Sequence, residues 1–279
     1  MKKIDTGTDQ LLGRVDDGVA VLTMNRPERR NALSGSMFEG LARALAEVEV
    51  DSDVGSVVLT GAGGAFCAGG DVKAMAGEDG GPTAGADGSQ PVSVDARIYR
   101  QRLMQRATTG RLWQIPKPTI AALPGPAAGA GLSLALACDL RYAVEGAVLT
   151  TAFARVGFSG DYGGTCFLTR LVGAAKAREL YYFSDRISAR EAERLGIVNA
   201  VFPEETFEQE VVERARRLAA GPRTAYRYMK ENLNRAVGGE LGECLDLEAT
   251  HHIHTGQTED HREAVRAFVE KREPQFRGR

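Results

Sequence analysis

Gly63-Gly64-Ala65-Phe66-Cys67-Ala68-Gly69-Gly70-Asp71 follows the apolar run Val57-Val58-Leu59, and about sixty residues later Pro124-Gly125-Pro126-Ala127-Ala128-Gly129-Ala130-Gly131 follows Thr119-Ile120-Ala121-Ala122-Leu123. Each is a strand running into a turn of small residues, and the second turn opens an apolar helix that reaches Cys138. Small residues let a backbone approach a ligand closely, and the free N–H groups at a helix start favour negative charge. Two such donors aimed at one point form an oxyanion hole, so the pair points to an enzyme that stabilises an enolate or a tetrahedral oxyanion. Neither turn binds a nucleotide phosphate by a known pattern: the first lacks the Lys-Ser/Thr of a P-loop, and the second lacks G-x-G-x-x-G. Either turn alone reads as an ordinary tight connection; their pairing carries the functional reading.

Around these turns, 279 residues with 43% hydrophobic and 26% charged side chains are enough for one large core and an appendage. A net charge of −2 supplies no field that would draw nucleic acid or a membrane surface, so an anionic ligand must be held by local cations. No apolar run is long enough to span a bilayer, and the opening Met1-Lys2-Lys3-Ile4-Asp5 soon turns polar, so neither a span nor a secretory signal is expected. Cys67, Cys138, Cys166 and Cys244 have no C-x-x-C spacing and read as small buried hydrophobes in a reducing, cytoplasmic setting.

Along the chain, 19–25 reads as a strand entering the Pro27 turn, and Phe38, Leu41, Leu45 and Val48 mark a helix over 37–49. A strand at 55–60 enters the first turn, and a short helix begins near Asp71. Residues 76–94 are rich in Gly, Pro and Ser without periodic apolar positions, and read as a flexible loop or lid. A helix over 95–114, a strand at 118–123, the second turn with its helix, and a strand near 139–143 follow. Helices are expected near 163–172, 174–183 and 188–195, with a strand at 197–202. Beyond Pro203 the pattern is helical only: Phe207, Val211, Ala215 and Leu218 share a face, Pro222 restarts a helix, and two more cover 240–254 and 258–272. The organisation is an α/β core over 1–203 and a helical region over 204–279.

The two turns, with Leu134-Ala135-Leu136-Ala137-Cys138-Asp139-Leu140, stand in the company of Asn25-Arg26-Pro27, Asn31-Ala32-Leu33 and Gly163-Gly164-Thr165. Ala189-Arg190-Glu191-Ala192, Leu195-Gly196-Ile197-Val198 and Ala267-Phe268-Val269-Glu270-Lys271-Arg272 complete the set. From about Val19 to Arg272 the chain resembles the crotonase superfamily, the enoyl-CoA hydratase/isomerase family. The resemblance implies an α/β fold, a crotonase-like spiral of ββα units with a C-terminal all-helical oligomerisation region that makes a homotrimer or a dimer of trimers. It implies an acyl-CoA substrate, with no cofactor beyond the coenzyme A that is part of it. It places the oxyanion donors at the backbone N–H groups of Gly70 and Ala130, the latter in a position usually held by Gly. Ala suffices there if its φ is negative. Ala68, Gly69, Asp71, Val72 and Lys73 would line the pantetheine and adenine, while Phe268 and Lys271 would reach coenzyme A from a neighbouring subunit. The basic residue usual after Pro27 is Glu28 here, which leaves Arg26 or Arg29 as its substitute.

The two glutamates that the resemblance implies for a hydratase fall at Ser133 and Phe153, neither of which transfers protons near neutral pH. Asp161 stands at the position of the working aspartate in dienoyl-CoA isomerases, 1,2-epoxyphenylacetyl-CoA isomerases and 4-chlorobenzoyl-CoA dehalogenases. On the residues alone it reads as the N-cap of the helix after Gly163; the resemblance turns it into the acid/base, its pKa raised beside Phe153 and Phe158. Dehalogenation is disfavoured because the only tryptophan, Trp113, lies elsewhere in the pattern. One carboxylate suits a 1,3-proton shift, so isomerisation is the favoured chemistry. Conventional enoyl-CoA hydration of the β-oxidation type and a non-catalytic acyl-CoA binder are its rivals. Ser133 reads as a substrate contact or a packed helix residue, and Tyr99 and Tyr162 as packing aromatics. His251-His252-Ile253-His254 and His261 lack metal-ligand spacing and read as a surface or subunit-interface helix, so no metal is expected.

Overall fold

Runs of β-branched and aliphatic residues build the frame. In the computed structural model, which describes residues 1–72 and 92–279, β1 (Lys2–Ile4), β2 (Leu11–Asp16) and β3 (Val19–Met24) form an antiparallel meander. Then β4 (Ser56–Gly61) and β5 (Thr119–Leu123) continue parallel to β3, with Val19 opposite Ser56 and Val57 opposite Thr119. The chain leaves this sheet at β6 (Ala127–Ala128), returns at β7 (Leu140–Val144), leaves again for β8 (Val148–Thr150) and β9 (Ile187–Ser188), and closes with β10 (Ala200–Phe202). The large sheet runs β1-β2-β3-β4-β5-β7-β10 and the small one β6-β8-β9. Every residue of β5 is buried, as expected of a parallel strand covered on both faces.

Ten of the helical segments read from sequence lie among the described residues, with informative departures, while the short helix expected near Asp71 falls outside them beyond Val72. α1 (Gly35–Val50) is capped by Ser34, which accepts the Met37 N–H, and buries Met37, Leu41, Leu45 and Val48. The single helix expected over 95–114 is α2 (Val94–Gln105), a π-turn over Arg106–Gly110 and α3 (Arg111–Gln114). Buried Thr108 and Thr109 bond back to the carbonyls of Met104 and Gln105 at 2.8 and 3.0 Å, which loosens the regular ladder there. α4 (Ala130–Ala137) is buried throughout. The two helices expected about residue 173 are joined as α5 (Gly164–Phe183), broken only at Gly173 with φ 77°. After α6 (Ala189–Arg194), the strand expected over 197–202 shortens to β10, because the amides of Ile197 and Val198 turn back to the Ala192 carbonyl. The loop expected over 76–94 lies outside the described residues except for its end at 92–94.

The tail contains α7 (Glu204–Ala219), α8 (Arg223–Ala236), α9 (Leu241–Thr255) and α10 (Glu259–Glu270). α7 lays Phe207, Val211, Ala215 and Ala219 on the large sheet, and Ser56 Oγ donates to the Ala215 carbonyl at 2.8 Å. Two expectations hold only in part here: the cysteines divide between core and surface, and in the histidine string His252 and His254 are exposed while His251 is not. Cys166 is exposed and Cys244 half-buried, both on helix faces turned from the core, whereas Cys67 and Cys138 are buried as read. His251 is buried rather than superficial, its ring 4.2 Å from that of Tyr228 and its Nδ1 2.6 Å from Asn232 Oδ1. Among the described residues, no helix is long and apolar enough to cross a membrane.

α8 is clasped to the core by one cation. Buried Lys230 donates through Nζ to the carbonyls of Leu112 and Lys117, both at 3.1 Å, and to Asp139 at 2.8 Å. The same Asp139 oxygen accepts the N–H and hydroxyl of Thr119, so removing the ammonium leaves a clustered set of acceptors unsatisfied. We expect Lys230→Met to cost roughly 2–4 kcal/mol in denaturant unfolding, with amide exchange rising first in α8. A loss below about 0.5 kcal/mol would show that this clasp does not hold the tail.

Candidate active site

The first turn is held between two neighbouring segments. Ala68 N–H donates to the Arg30 carbonyl, Phe66 and Cys67 donate to that of Pro126, and Ala128 donates to that of Cys67. Buried Asn31 braces it from below: its amide donates to the carbonyls of Ala62 and Ala65, both at 2.9 Å, and its oxygen accepts the Arg26 N–H. Two isolated parallel bridges, Leu33 with Gly70 and Cys67 with Ala127, tie the turn to both neighbours.

Steric contact then brings the two glycine turns together. Gly69 has φ +88°, and a Cβ there would stand 2.8 Å from the Ala128 oxygen and 3.5 Å from the Ala130 nitrogen. A Cβ on Gly131 would strike Cys67 Sγ at 2.6 Å, so the start of α4 also presses on the first turn. Gly129, with φ 53° and ψ −127°, turns the chain into α4 without a side-chain cap. Ala130 is therefore the first helical residue, with negative φ, and its N–H has no partner within the helix. The bridge to Leu33 uses the Gly69 carbonyl, which accepts the Leu33 N–H at 2.8 Å, and among the described residues the Gly70 N–H has no backbone acceptor.

A line of side chains leads from these amides to Asp161. A Cβ on Gly129 would be 3.9 Å from the edge of Phe153, and Phe153 is buried with its ring stacked on Tyr181 at 5.8 Å. Ser133, one turn into α4, is buried and makes a 3.3 Å contact to the Gly129 carbonyl. Tyr162 is buried with its ring stacked on Phe38 at 4.5 Å, while its N–H donates to Gln105 at 2.6 Å. Asp161 sits just before Tyr162. Its Oδ1 is buried and has no hydrogen-bond partner. It is not a cap, since the N-cap residue of α5 is Gly163, no side chain caps the helix, and only the Asp161 carbonyl meets it, accepting the Gly164 N–H. Burial raises its carboxyl from 3.8 to about 6. Burial, and the Asp161 charge after it, hold the hydroxyls of both Tyr162 and Tyr181 above the usual phenol range.

Several expectations change. Phe158 is exposed, so the desolvation of Asp161 does not come from it; Tyr162 and Tyr181 feel the Asp161 charge instead. Arg26 is committed internally, with Nη1 on the Ala32 carbonyl at 2.7 Å and Nη2 paired with Asp71 at 3.1 Å. Asp71 is therefore a lock on the turn as well as a lining residue, and the pair is largely shielded from water. Arg29, Ala68 and Val72 are exposed. Lys73 lies outside the described residues. Phe268 is 85% exposed on α10, and Lys271 ends that helix at φ 53°, so neither is packed on this chain's own core. Tyr99 is exposed. Two residues escaped the sequence reading: Tyr181, and Arg30, which lines a cavity of about 190 Å³ with Arg186, Ala68, Ala128 and Thr150.

The model of the enoyl-CoA hydratase/isomerase family matches residues 14–279. The chain is 37% identical over 269 residues to 1,2-epoxyphenylacetyl-CoA isomerase of Escherichia coli, spanning 96% of this chain and 98% of that protein. It is 36% identical over 259 residues to mitochondrial enoyl-CoA hydratase of Pongo abelii, spanning 93% and 83%. The crystal structure of an enoyl-CoA hydratase from Bacillus anthracis matches with a TM-score of 0.87 at 32% identity, covering 97% of this chain and 100% of that one. A βα frame whose two glycine turns meet at a helix start, matched over nearly its whole length, makes this chain a crotonase-superfamily enzyme of the enoyl-CoA hydratase/isomerase family.

Proposed function

We propose that the chain isomerises an enoyl-CoA thioester, with the thioester oxygen held by the N–H groups of Gly70 and Ala130 and Asp161 as the proton shuttle. The observation that carries this reading is the Asp161 carboxyl: half-shielded, raised to about 6, and with an oxygen that no protein group occupies. As carboxylate it takes a proton from an acyl carbon, the electron pair moves into the thioester, and the two amides stabilise the enolate oxygen. The carboxylic acid so formed returns the proton two carbons away, and the double bond has moved. No water is consumed, which fits a site with Ser133 and Phe153 where the hydratase resemblance calls for carboxylates. Hydration is the second reading, favoured by the likeness to a mitochondrial enoyl-CoA hydratase. Following absorbance of the conjugated thioester with crotonyl-CoA and with a 3-enoyl-CoA separates the two.

For coenzyme A, Ala68, Gly69, Asp71 and Val72 would lie along the pantetheine, with Lys73 beyond them, and Arg30 and Arg186 would supply cations for the phosphates alongside Arg29. Phe268 and Lys271 would close the site of a second copy in a trimer or a dimer of trimers. The apolar residues left exposed on the tail, among them Leu233, Leu241, Ile253, Phe268 and Val269, support that assembly. Sedimentation is expected to give a multiple of three; a stable monomer would remove this part of the proposal.

Asp161→Asn is expected to lower kcat by roughly 10²–10⁴-fold with the fold intact. Survival of turnover within about threefold would end the assignment of Asp161 as acid/base. In the free enzyme the base must be ionised, so kcat/KM falls as pH drops through about 6.

The same group has a stability signature. The folded chain holds the Asp161 proton between 3.8 and about 6, where the unfolded chain has released it. Its contribution to stability is therefore largest below the unfolded value and is lost as pH rises through the folded one. Asp161→Asn should accordingly be more stable than wild type at pH 8, by about 1–2 kcal/mol after allowing for solvent screening, with the advantage vanishing near pH 4. Equal stabilities at pH 8 would show that the charge is not costly where it sits.

A further inference from the structure

Proton transfer as just described makes no use of a second pair of groups in the same wall. Gly164, the first residue of α5, would place a Cβ 2.3 Å from Ser133 Oγ and 2.6 Å from Tyr181 Oη. The two hydroxyls thus close on one point of α5 from different elements, and the absent side chain of Gly164 is what lets them come within about 5 Å of each other. No hydrogen bond joins them. Ser133 has only its 3.3 Å contact to the Gly129 carbonyl, which leaves its lone pairs free, and Tyr181 Oη has no protein partner among the described residues. The Tyr181 ring cannot swing away easily: Phe153 stacks on its face, and its edge lies 3.1 Å from where a Cβ on Gly160 would be.

A plain hydrocarbon chain lying here would strip water from both hydroxyls and return nothing, whereas a substituent hydroxyl would accept from Tyr181 and donate to Ser133. We propose that Tyr181, with Ser133, is a specificity determinant that selects an acyl group carrying a hydroxyl at the γ-carbon or beyond. The inference rests on the reading that the acyl chain of a CoA thioester occupies this wall. It does not depend on which reaction follows.

Binding of saturated thioesters, which cannot react, tests it separately from the chemistry. Calorimetric Kd values would be compared for hexanoyl-CoA and for its 4-, 5- and 6-hydroxy derivatives. The wild type is expected to bind at least one hydroxylated ligand about 10–100-fold more tightly than hexanoyl-CoA, and Tyr181→Phe, which keeps the stacked ring, to bring that ratio to about 1. A wild-type ratio near 1 for all three derivatives overturns the proposal without any variant. So does a wild-type preference that Tyr181→Phe leaves unchanged. If hexanoyl-CoA itself fails to bind, the acyl-CoA reading fails with it; if the preference is found but 3-hexenoyl-CoA is not isomerised, only the assigned reaction fails. Loss of 3-hexenoyl-CoA turnover in Tyr181→Phe without a selective loss of hydroxylated ligands would instead make Tyr181 a positioning residue for Asp161.

Discussion

The site depends on a backbone approach that tolerates no side chain. A Cβ on Gly69 would meet the Ala128 oxygen at 2.8 Å, and one on Gly125 would meet the Gly64 oxygen at 2.0 Å. Within this contact distance the first turn and the start of α4 share one surface. Asn31 supplies the complementary support from the interior, satisfying three backbone groups of turns that have no ladder of their own. The geometry is therefore set by packing and by buried hydrogen bonds rather than by regular structure. That is how a turn can be both irregular and rigid.

Asp161 illustrates the opposing demand. A half-shielded carboxyl whose Oδ1 is buried without a partner costs stability, and among the described residues no hydrogen bond to that oxygen compensates for it. The chain contains solutions to that problem elsewhere: Asp139 accepts from Thr119 and Lys230, and Asp71 is paired with Arg26. Leaving Asp161 alone keeps a proton affinity near neutrality, which a paired carboxylate would lose. The contrast among three aspartates in one fold separates two that hold the structure from one whose buried oxygen is left without such a partner, which is the contrast the proposed proton transfer draws on.

How far the sequence discloses this depends on the range of each interaction. The glycine turns are legible because steric exclusion acts on the residue itself, and the break at Gly173 is legible for the same reason. The N-cap reading of Asp161 was reasonable locally, and only the direction of the side chain overrules it. Tyr181 was invisible because it lies twenty residues beyond Asp161 and reaches the site only after α5 folds back across Gly160 and Gly164. The pairing of Arg26 is hidden for an equivalent reason: its partner Asp71 comes from a turn 45 residues away. The burial of His251 likewise comes from its contact with α8, which its own helix pattern does not record.

The tail and the start of α4 are connected through one short helix. Ala130 opens α4, and the far end of the same eight-residue helix is held by Arg141, whose Nη1 donates to the Cys138 carbonyl at 2.6 Å while Nε donates to that of Ile197. A cation at that terminus opposes the negative end of the helix dipole and leaves the positive end directed at the site. The next residue, Asp139, is the anchor that receives Lys230 from α8. Docking of the tail thus bears on the residue that ends α4, and a short, fully buried helix has little freedom to absorb a shift at one end without moving the other. α4 thus carries the Ala130 amide at one end and meets, just past the other, the Asp139 that anchors the tail.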